Sequence, residues 1–385
     1  MDSYLLYSLI VVAIGIGWLL GRWERLRGTA KPAYRGLNYL LNEQNDRAVA
    51  SFIQDLEVNQ ETLETHLALG SLLRRRGELD KAVVVHENIL TRARLGRDVM
   101  LGVQLELARD YLLAGLLDRA ETVVQELIKE KGPIRLESLE MLIEIYEREK
   151  DWTKAIATAD QLLSAGTNES VERAVSHYYC ELADKALSAG ELPQAENLLD
   201  KGECRFAANA RICLLKGHVA FVSNNYQKAI NELQQINGCD PVFTQQSIDL
   251  LRQCYEERGD GFAEFGDYLA RCLETNPSIS IVLAMADLRR EHDGDEGVSR
   301  FIADYLKRNP TIRGLTRLID LHMDNATGVS RENLAILRSF TDALVAEKPG
   351  FRCDECGFSV KKMHWHCPGC HDWGSVKPIF GLEGE

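Results

Sequence analysis

Hydrophobic and polar positions along this chain follow three different patterns. From Ser3 to Gly21 (SYLLYSLIVVAIGIGWLLG) no residue is charged. At ~1.5 Å rise per residue this run reaches roughly 28 Å, close to one hydrocarbon thickness, and predicts a membrane-spanning helix over residues 1–21. A cleaved signal peptide fits poorly, because Met1-Asp2 brings no basic group and no A-x-A site follows. Residues 36–310 show apolar positions at helical spacing in recurring blocks, and residues 311–348 read as further helices, with Ser330 as an N-cap. Residues 349–385 are short of apolar periodicity and rich in cysteine.

The recurring blocks can be aligned on one alanine each. Ala48, Ala82, Ala120, Ala155, Ala195 and Ala229 are spaced by 34, 38, 35, 40 and 34 residues, and fainter copies follow at Ala263 and Gly297. Twelve residues earlier stands a second small residue: Gly36, Gly70, Ala108, Ala183 or Gly217. Four residues later stands a bulky one, as at Phe52, Val124, Leu199, Leu233 and Phe301. Small residues at a helix crossing let two backbones approach, and a larger side chain one turn on fills the gap. Gly77, Gly115 and Gly190 fall five residues before the marker, where the chain turns. A period of this length predicts a helical solenoid. The segments LALGSLLRRRGELDKAV (67–83) and LARDYLLAGLLDRA (107–120) resemble tetratricopeptide repeats. Ile143, Leu251, Met285 and Asp267 depart from that pattern, which leaves the register of the last two units open.

Charge then adds orientation. Arg22, Arg25, Arg27, Lys31 and Arg35 make residues 22–35 a basic linker beside the span, with no basic side chain before it. The positive-inside rule puts the N-terminus in the periplasm and the bulk of the chain in the cytoplasm, with the linker against anionic lipid headgroups. The net charge of −13 makes nucleic acid a poor partner. Aromatics at 7% and only nine prolines agree with a mostly helical body. On the first helices of two repeats, Arg74, Arg75, Arg76 and Arg109 form a candidate basic patch for an acidic partner segment, against the simpler reading of a solvated face.

The chemistry concentrates at the C-terminus. Cys353-x2-Cys356 and Cys367-x2-Cys370 are separated by ten residues. Each x2 turn aims two sulfurs at one point, so the pair of turns predicts a tetrathiolate site for one structural metal ion, zinc or iron. Four thiolates close a tetrahedral site, which leaves His364, His366 and His371 beside it rather than on it. Trp365, Trp373, Phe358 and Phe380 are expected to supply a small core around the metal. Cys180, Cys204, Cys213, Cys239, Cys254 and Cys272 are scattered and read as small core residues of a reducing compartment. No P-loop, G-x-S-x-G, H-E-x-x-H or dinucleotide fingerprint is present, and no catalytic residue is expected.

The turns CDECGF and CPGCH resemble rubredoxin knuckles, with His371 where the second glycine is usual. The expected fold class is therefore all-α: a tetratricopeptide-repeat solenoid with an N-terminal transmembrane helix and a small C-terminal rubredoxin-like metal-binding domain. In this order, and with its M-x-x-x-L-L start, the chain resembles the lipopolysaccharide assembly protein B family. That resemblance implies a non-enzymatic adaptor of the bacterial inner membrane. Its implied partners are the membrane protease FtsH, the deacetylase LpxC and an inner-membrane lipopolysaccharide regulator. Two other readings remain: a scaffold for lipopolysaccharide-synthesis or export proteins without a proteolytic role, and a rubredoxin-type electron carrier. A homodimer is left open.

Overall fold

The computed structural model describes residues 62–92, 96–382 and 384. The expected span, the basic linker and the first repeat, with Gly36, Ala48 and Phe52, lie outside the described residues. No helix among the described residues is long and apolar enough to cross a membrane. The chain divides into two compact units between Glu149 and Lys150.

The first unit contains α1 (Leu63–Arg75), α2 (Leu79–Arg92), α3 (Arg97–Leu113), α4 (Leu117–Leu127) and α5 (Pro133–Glu149). Each helix packs on the next in sequence. The marker residues Ala82 and Ala120 are completely buried. Gly70 shows why a small residue is needed opposite: a Cβ there would lie 2.4 Å from the His86 ring. His86 occupies the bulky position of that repeat and is itself fully buried. Its Nδ1 lies 2.5 Å from Asp110 Oδ2 on α3, so a polar pair replaces the usual apolar plug.

The second unit begins with α6 (Trp152–Leu163), α7 (Glu169–Ser188), α8 (Leu192–Arg205), α9 (Ala210–Val222) and α10 (Tyr226–Cys239). A 3-10 helix (Pro241–Gln246) then leads to α11 (Ile248–Arg258) and α12 (Phe262–Thr275). After these come α13 (Ile279–Leu306), broken at Gly294, then α14 (Ile312–Asn325) and α15 (Val329–Glu347). One continuous core runs through α9 to α13, around Leu233, Leu251, Tyr255, Phe265 and Leu269. Ala155, Ala195 and Ala229 are again fully buried. A Cβ on Gly217 would sit 2.5 Å from Leu233, the spacing partner anticipated for it.

The turns repeat as closely as the crossings. Gly77, Gly115 and Gly190 have φ between 74° and 79°, and Lys150 and Asn224 hold the same left-handed conformation at the equivalent positions, with φ 57°. At Gly77, Gly115, Gly190 and Asn224 the following N–H reaches a carbonyl five residues back, as in Glu78 N–H to Leu73 O at 2.9 Å. The last units depart from the expected register. The Gly259–Gly261 turn is one residue longer, with α12 starting at Phe262. Gly259 also comes 35 residues after Asn224 instead of 34, so Phe265, two past Ala263, is the buried marker, and Ala263 is exposed. Val298 is buried in place of Gly297. Ser330 falls inside the first turn of α15, whose N-cap is Gly328.

Beyond α15 come three short strands, β1 (Phe351–Cys353), β2 (Ser359–Val360) and β3 (Val376–Pro378). They form an antiparallel sheet in the order β2-β1-β3, with Phe351 opposite both Val360 and Pro378.

The crossing at Gly217 gives a direct test. Gly217→Ala drives a methyl into Leu233 and should destabilise the protein by about 1–3 kcal/mol. Leu233→Ala alone should cost about 2–5 kcal/mol. Urea midpoints followed by circular dichroism should show the double variant losing less than the sum of the two. Strict additivity would mean that the two positions do not share a packing site.

Candidate metal centre

The first cysteine pair lies on the turn from β1 to β2, the second on the turn that leads towards β3. Each turn is closed by backbone hydrogen bonds. Gly357 N–H donates to Cys353 O and His371 N–H donates to Cys367 O, both at 3.0 Å. Both turns need a left-handed residue after the second cysteine. Gly357 supplies it at φ 74°, and His371 adopts φ 61°. A non-glycine residue costs roughly 1 kcal/mol there, which the rest of the knuckle offsets.

These turns bring the four cysteine sulfurs within 4.8 Å of one another. Cys353 Sγ lies 3.6 Å from Cys370 Sγ, and Cys356 Sγ lies 3.7 Å from Cys367 Sγ. A tetrahedral ion with M–S bonds of ~2.3 Å requires sulfur–sulfur edges of ~3.8 Å. The observed spacings fit one metal ion and exceed by far the ~2.05 Å of a disulfide. Gly369 N–H points at Cys367 Sγ at 3.4 Å, and the Ser375 hydroxyl lies 3.3 Å from Cys353 Sγ. Burial pushes the Cys353 thiol up, but the Ser375 hydroxyl and the backbone N–H groups of Cys356 and Glu355 outweigh it and bring it down to about 6. In the same cluster burial and the neighbouring thiols push Cys370 up to about 12, so without an ion Cys353 is the one set to carry the charge. The cluster contains no histidine among the described residues. His364 and His371 are exposed, and the His366 ring stacks on Trp373 with centroids 4.4 Å apart.

Trp365, Trp373, Phe358 and Phe380 do not form the small core beside the four cysteines. That core is Cys353, Cys367 and Val376, with Phe351, Val360 and Met363 against it. Phe358 and Phe380 are exposed. Trp365 and Trp373 instead point at the helices. Trp373 stacks on His177 at 5.1 Å and meets Trp152 and Tyr178 edge-on, each at 5.8 Å. Trp365 packs on Phe243 of the 3-10 helix at 4.9 Å, and Arg211 Cζ lies 5.9 Å from its ring. Arg173 to Asp372 at 3.8 Å and Lys377 to Asp240 at 4.0 Å add polar contacts. The module is thus seated on α6, α7 and the 3-10 helix, far back in sequence, and not only on the last helices. Sequence reasoning missed this surface. The aromatic run His177-Tyr178-Tyr179 on a first helix was the available signal, but no spacing ties it to the tail.

The arginine patch is also changed. Arg74 is half-buried and donates to Asp110 Oδ1 at 2.8 Å and to Glu106. Arg109 binds Glu106 and donates to Glu137 Oε2 at 2.7 Å. Carboxylates of α3 and α5 therefore answer two of the candidate charges within the unit, while Arg75 is exposed. Of the six other cysteines, Cys180, Cys213, Cys254 and Cys272 are buried as expected of core residues, Cys239 is half-buried, and Cys204 is exposed.

Helical hairpins with left-handed turns and small-residue crossings, joined to a four-sulfur module, define a tetratricopeptide-repeat protein with a rubredoxin-type metal centre. Residues 105–170 match the tetratricopeptide repeat, and residues 351–378 match the rubredoxin metal binding domain. Lipopolysaccharide assembly protein B of Escherichia coli K12 is 36% identical over 389 residues, covering 99% of each chain. The protein of the same name from Haemophilus influenzae is 28% identical, covering 98% of this chain and 99% of its own. The chain belongs to the lipopolysaccharide assembly protein B family. Among solved structures, a tetratricopeptide repeat protein from Parabacteroides merdae aligns over 68% of this chain and 99% of its own at 13% identity, with a TM-score of only 0.36.

Two outcomes test this site. Serine at any one of Cys353, Cys356, Cys367 or Cys370 should abolish the single bound metal measured by elemental analysis, and should raise protease sensitivity around Trp373. Full metal content in such a variant would remove that cysteine from the ligand set. A red protein absorbing visible light would identify iron, and a colourless one zinc. The second outcome concerns His177. Burial, then Arg211, Arg173 and His366, hold its pKa well below the ordinary imidazole value. The neutral ring therefore stabilises the fold fully above about pH 6.5, and that stability is lost as pH falls, by up to ~1.4 kcal/mol per unit. Urea midpoints between pH 7 and 5 should fall less steeply in His177→Phe than in the parent. Equal slopes would show that His177 does not couple protons to stability.

Proposed function

We propose that the protein is a non-enzymatic adaptor in the regulation of lipopolysaccharide biosynthesis, held at the bacterial inner membrane by residues 3–21 and working on the cytoplasmic side. It brings the deacetylase LpxC to the membrane protease FtsH and promotes LpxC degradation. An inner-membrane regulator of the pathway binds the adaptor and relieves this. The observation that carries the reading is the likeness to lipopolysaccharide assembly protein B over 99% of both chains.

The physical features support it. An array of helical hairpins offers extended surfaces for peptides and protein faces. A centre closed by four sulfurs leaves no position for substrate, so its metal would be structural. Cys353, Cys356, Cys367 and Cys370 would hold that metal, which supplies rigidity to the tail. A tether confines adaptor and protease to one bilayer, so a weak contact suffices at high effective concentration.

Depleting the protein in its own cell should raise the level of LpxC. Restoring the full chain should lower it again, whereas a chain lacking residues 1–21 should fold, load metal and fail to lower it. Unchanged LpxC on depletion would favour the scaffold reading. Full activity of the truncated chain at equal abundance would show the tether to be dispensable.

A further inference from the structure

The seam between the metal module and the helices is not fully closed. Beside the two seated tryptophans lies a cleft of about 310 Å³, lined from both sides. That volume is at the small end of ligand pockets, which favour such boundaries between folded parts. It suits a side chain rather than a cofactor.

The walls have a definite chemistry. Phe206, Phe243, Trp365 and Trp373 present aromatic surface, whose ring faces carry negative potential. The charged groups are the carboxylates of Asp240, Asp354, Glu355 and Asp372, set against Arg173 and Lys377. Both cations are already answered. Arg173 lies 3.8 Å from Asp372, and Lys377 lies 3.3 Å from Asp354 and 4.0 Å from Asp240. Glu355 is exposed and makes no ion pair among the described residues.

His177 supplies a separate observation. It also lines the cleft, is only 3% exposed, and its Nδ1 has no hydrogen-bond partner. A buried polar atom without a partner is destabilising, and a donor that reached it would offset that. Burial and the neighbouring Arg211, Arg173 and His366 keep this ring neutral, so one of its nitrogens is an acceptor. An anion would meet surplus carboxylate. An apolar group would leave both the carboxylates and the imidazole unanswered.

We propose that this cleft binds a cationic side chain, an arginine guanidinium or a lysine ammonium, presented by a basic segment of a partner protein. A guanidinium fits best, since its flat face stacks on indole while its edge donates to carboxylate and imidazole. The site is composite: half of it belongs to the module, so it exists only while the module is seated. Partner capture is thereby linked to the integrity of the four-sulfur centre. The proposal is independent of which protein is degraded.

The test uses the zinc-loaded full chain in detergent micelles, labelled with 5-fluorotryptophan. Trp365 is assigned by Trp365→Phe, and the chain is titrated with the acetylated, amidated peptides Gly-Arg-Gly, Gly-citrulline-Gly and Gly-Glu-Gly. Citrulline keeps the shape of arginine and removes its charge. The arginine peptide should shift the Trp365 resonance saturably, at least about tenfold more tightly than the citrulline peptide, and the glutamate peptide should leave it in place. Glu355→Lys lies on the exposed rim and should weaken the arginine peptide about tenfold without loss of zinc. Equal response to arginine and citrulline, preference for the glutamate peptide, no saturable shift at millimolar peptide, or an unchanged titration in Glu355→Lys would each overturn the proposal.

Discussion

The spacing of four sulfurs is the constraint on which the C-terminal half of this molecule depends. The module from Phe351 to Pro378 has strands of three, two and three residues. Its buried core is Cys353, Cys367 and Val376, so two of three core side chains belong to the four-cysteine cluster itself. A segment this small buries too little apolar surface to order itself. Holding the sulfurs at tetrahedral spacing fixes both knuckles, and the knuckles fix the intervening loop. Trp365 and Trp373 then project at a set distance from each other, as one rigid wedge.

The wedge has a matching surface because the helical array is regular. Marker alanines and left-handed turns set the pitch of each hairpin, which puts Trp152 at the start of α6 near His177 and Tyr178 of α7. The 3-10 helix breaks the regular run and turns Phe243 towards Trp365. Asp240 caps that helix through Val242 N–H at 3.2 Å and also faces Lys377. Metal geometry, module seating and array surface thus form one chain of cause. A partner that touches both the module and the helices would sense all three.

Much of this was legible in the sequence, for identifiable reasons. Four cysteines in two x2 pairs encode a local geometry, and the sulfurs lie close together as that spacing requires. The repeat period encodes nearest-neighbour packing, and Gly70 and Gly217 meet the side chains four residues past the next marker. What failed was the part that depends on long-range placement or on single residues inserted between repeats. The stretch before Gly259 and the Gly259–Gly261 turn each carry one extra residue, which together move the marker from Ala263 to Phe265, a shift that composition cannot reveal. The roles of Trp365 and Trp373 were misread because apolar residues beside a metal site look the same whether they face inward or towards a neighbour. Arg74 looked like a free cation because Asp110 lies 36 residues away and reaches it only through the packing of α1 against α3.

The central claim is that the four-sulfur centre orders the helices on which the module sits, beyond the tail itself. Hydrogen–deuterium exchange on the metal-loaded chain and on the same chain stripped by a chelator tests it most directly. The account predicts faster amide exchange after stripping in α7 around Val175–Cys180 and in the 3-10 helix Pro241–Gln246, together with the module. Exchange that rises in residues 351–378 alone, with α7 and the 3-10 helix unchanged, would contradict it.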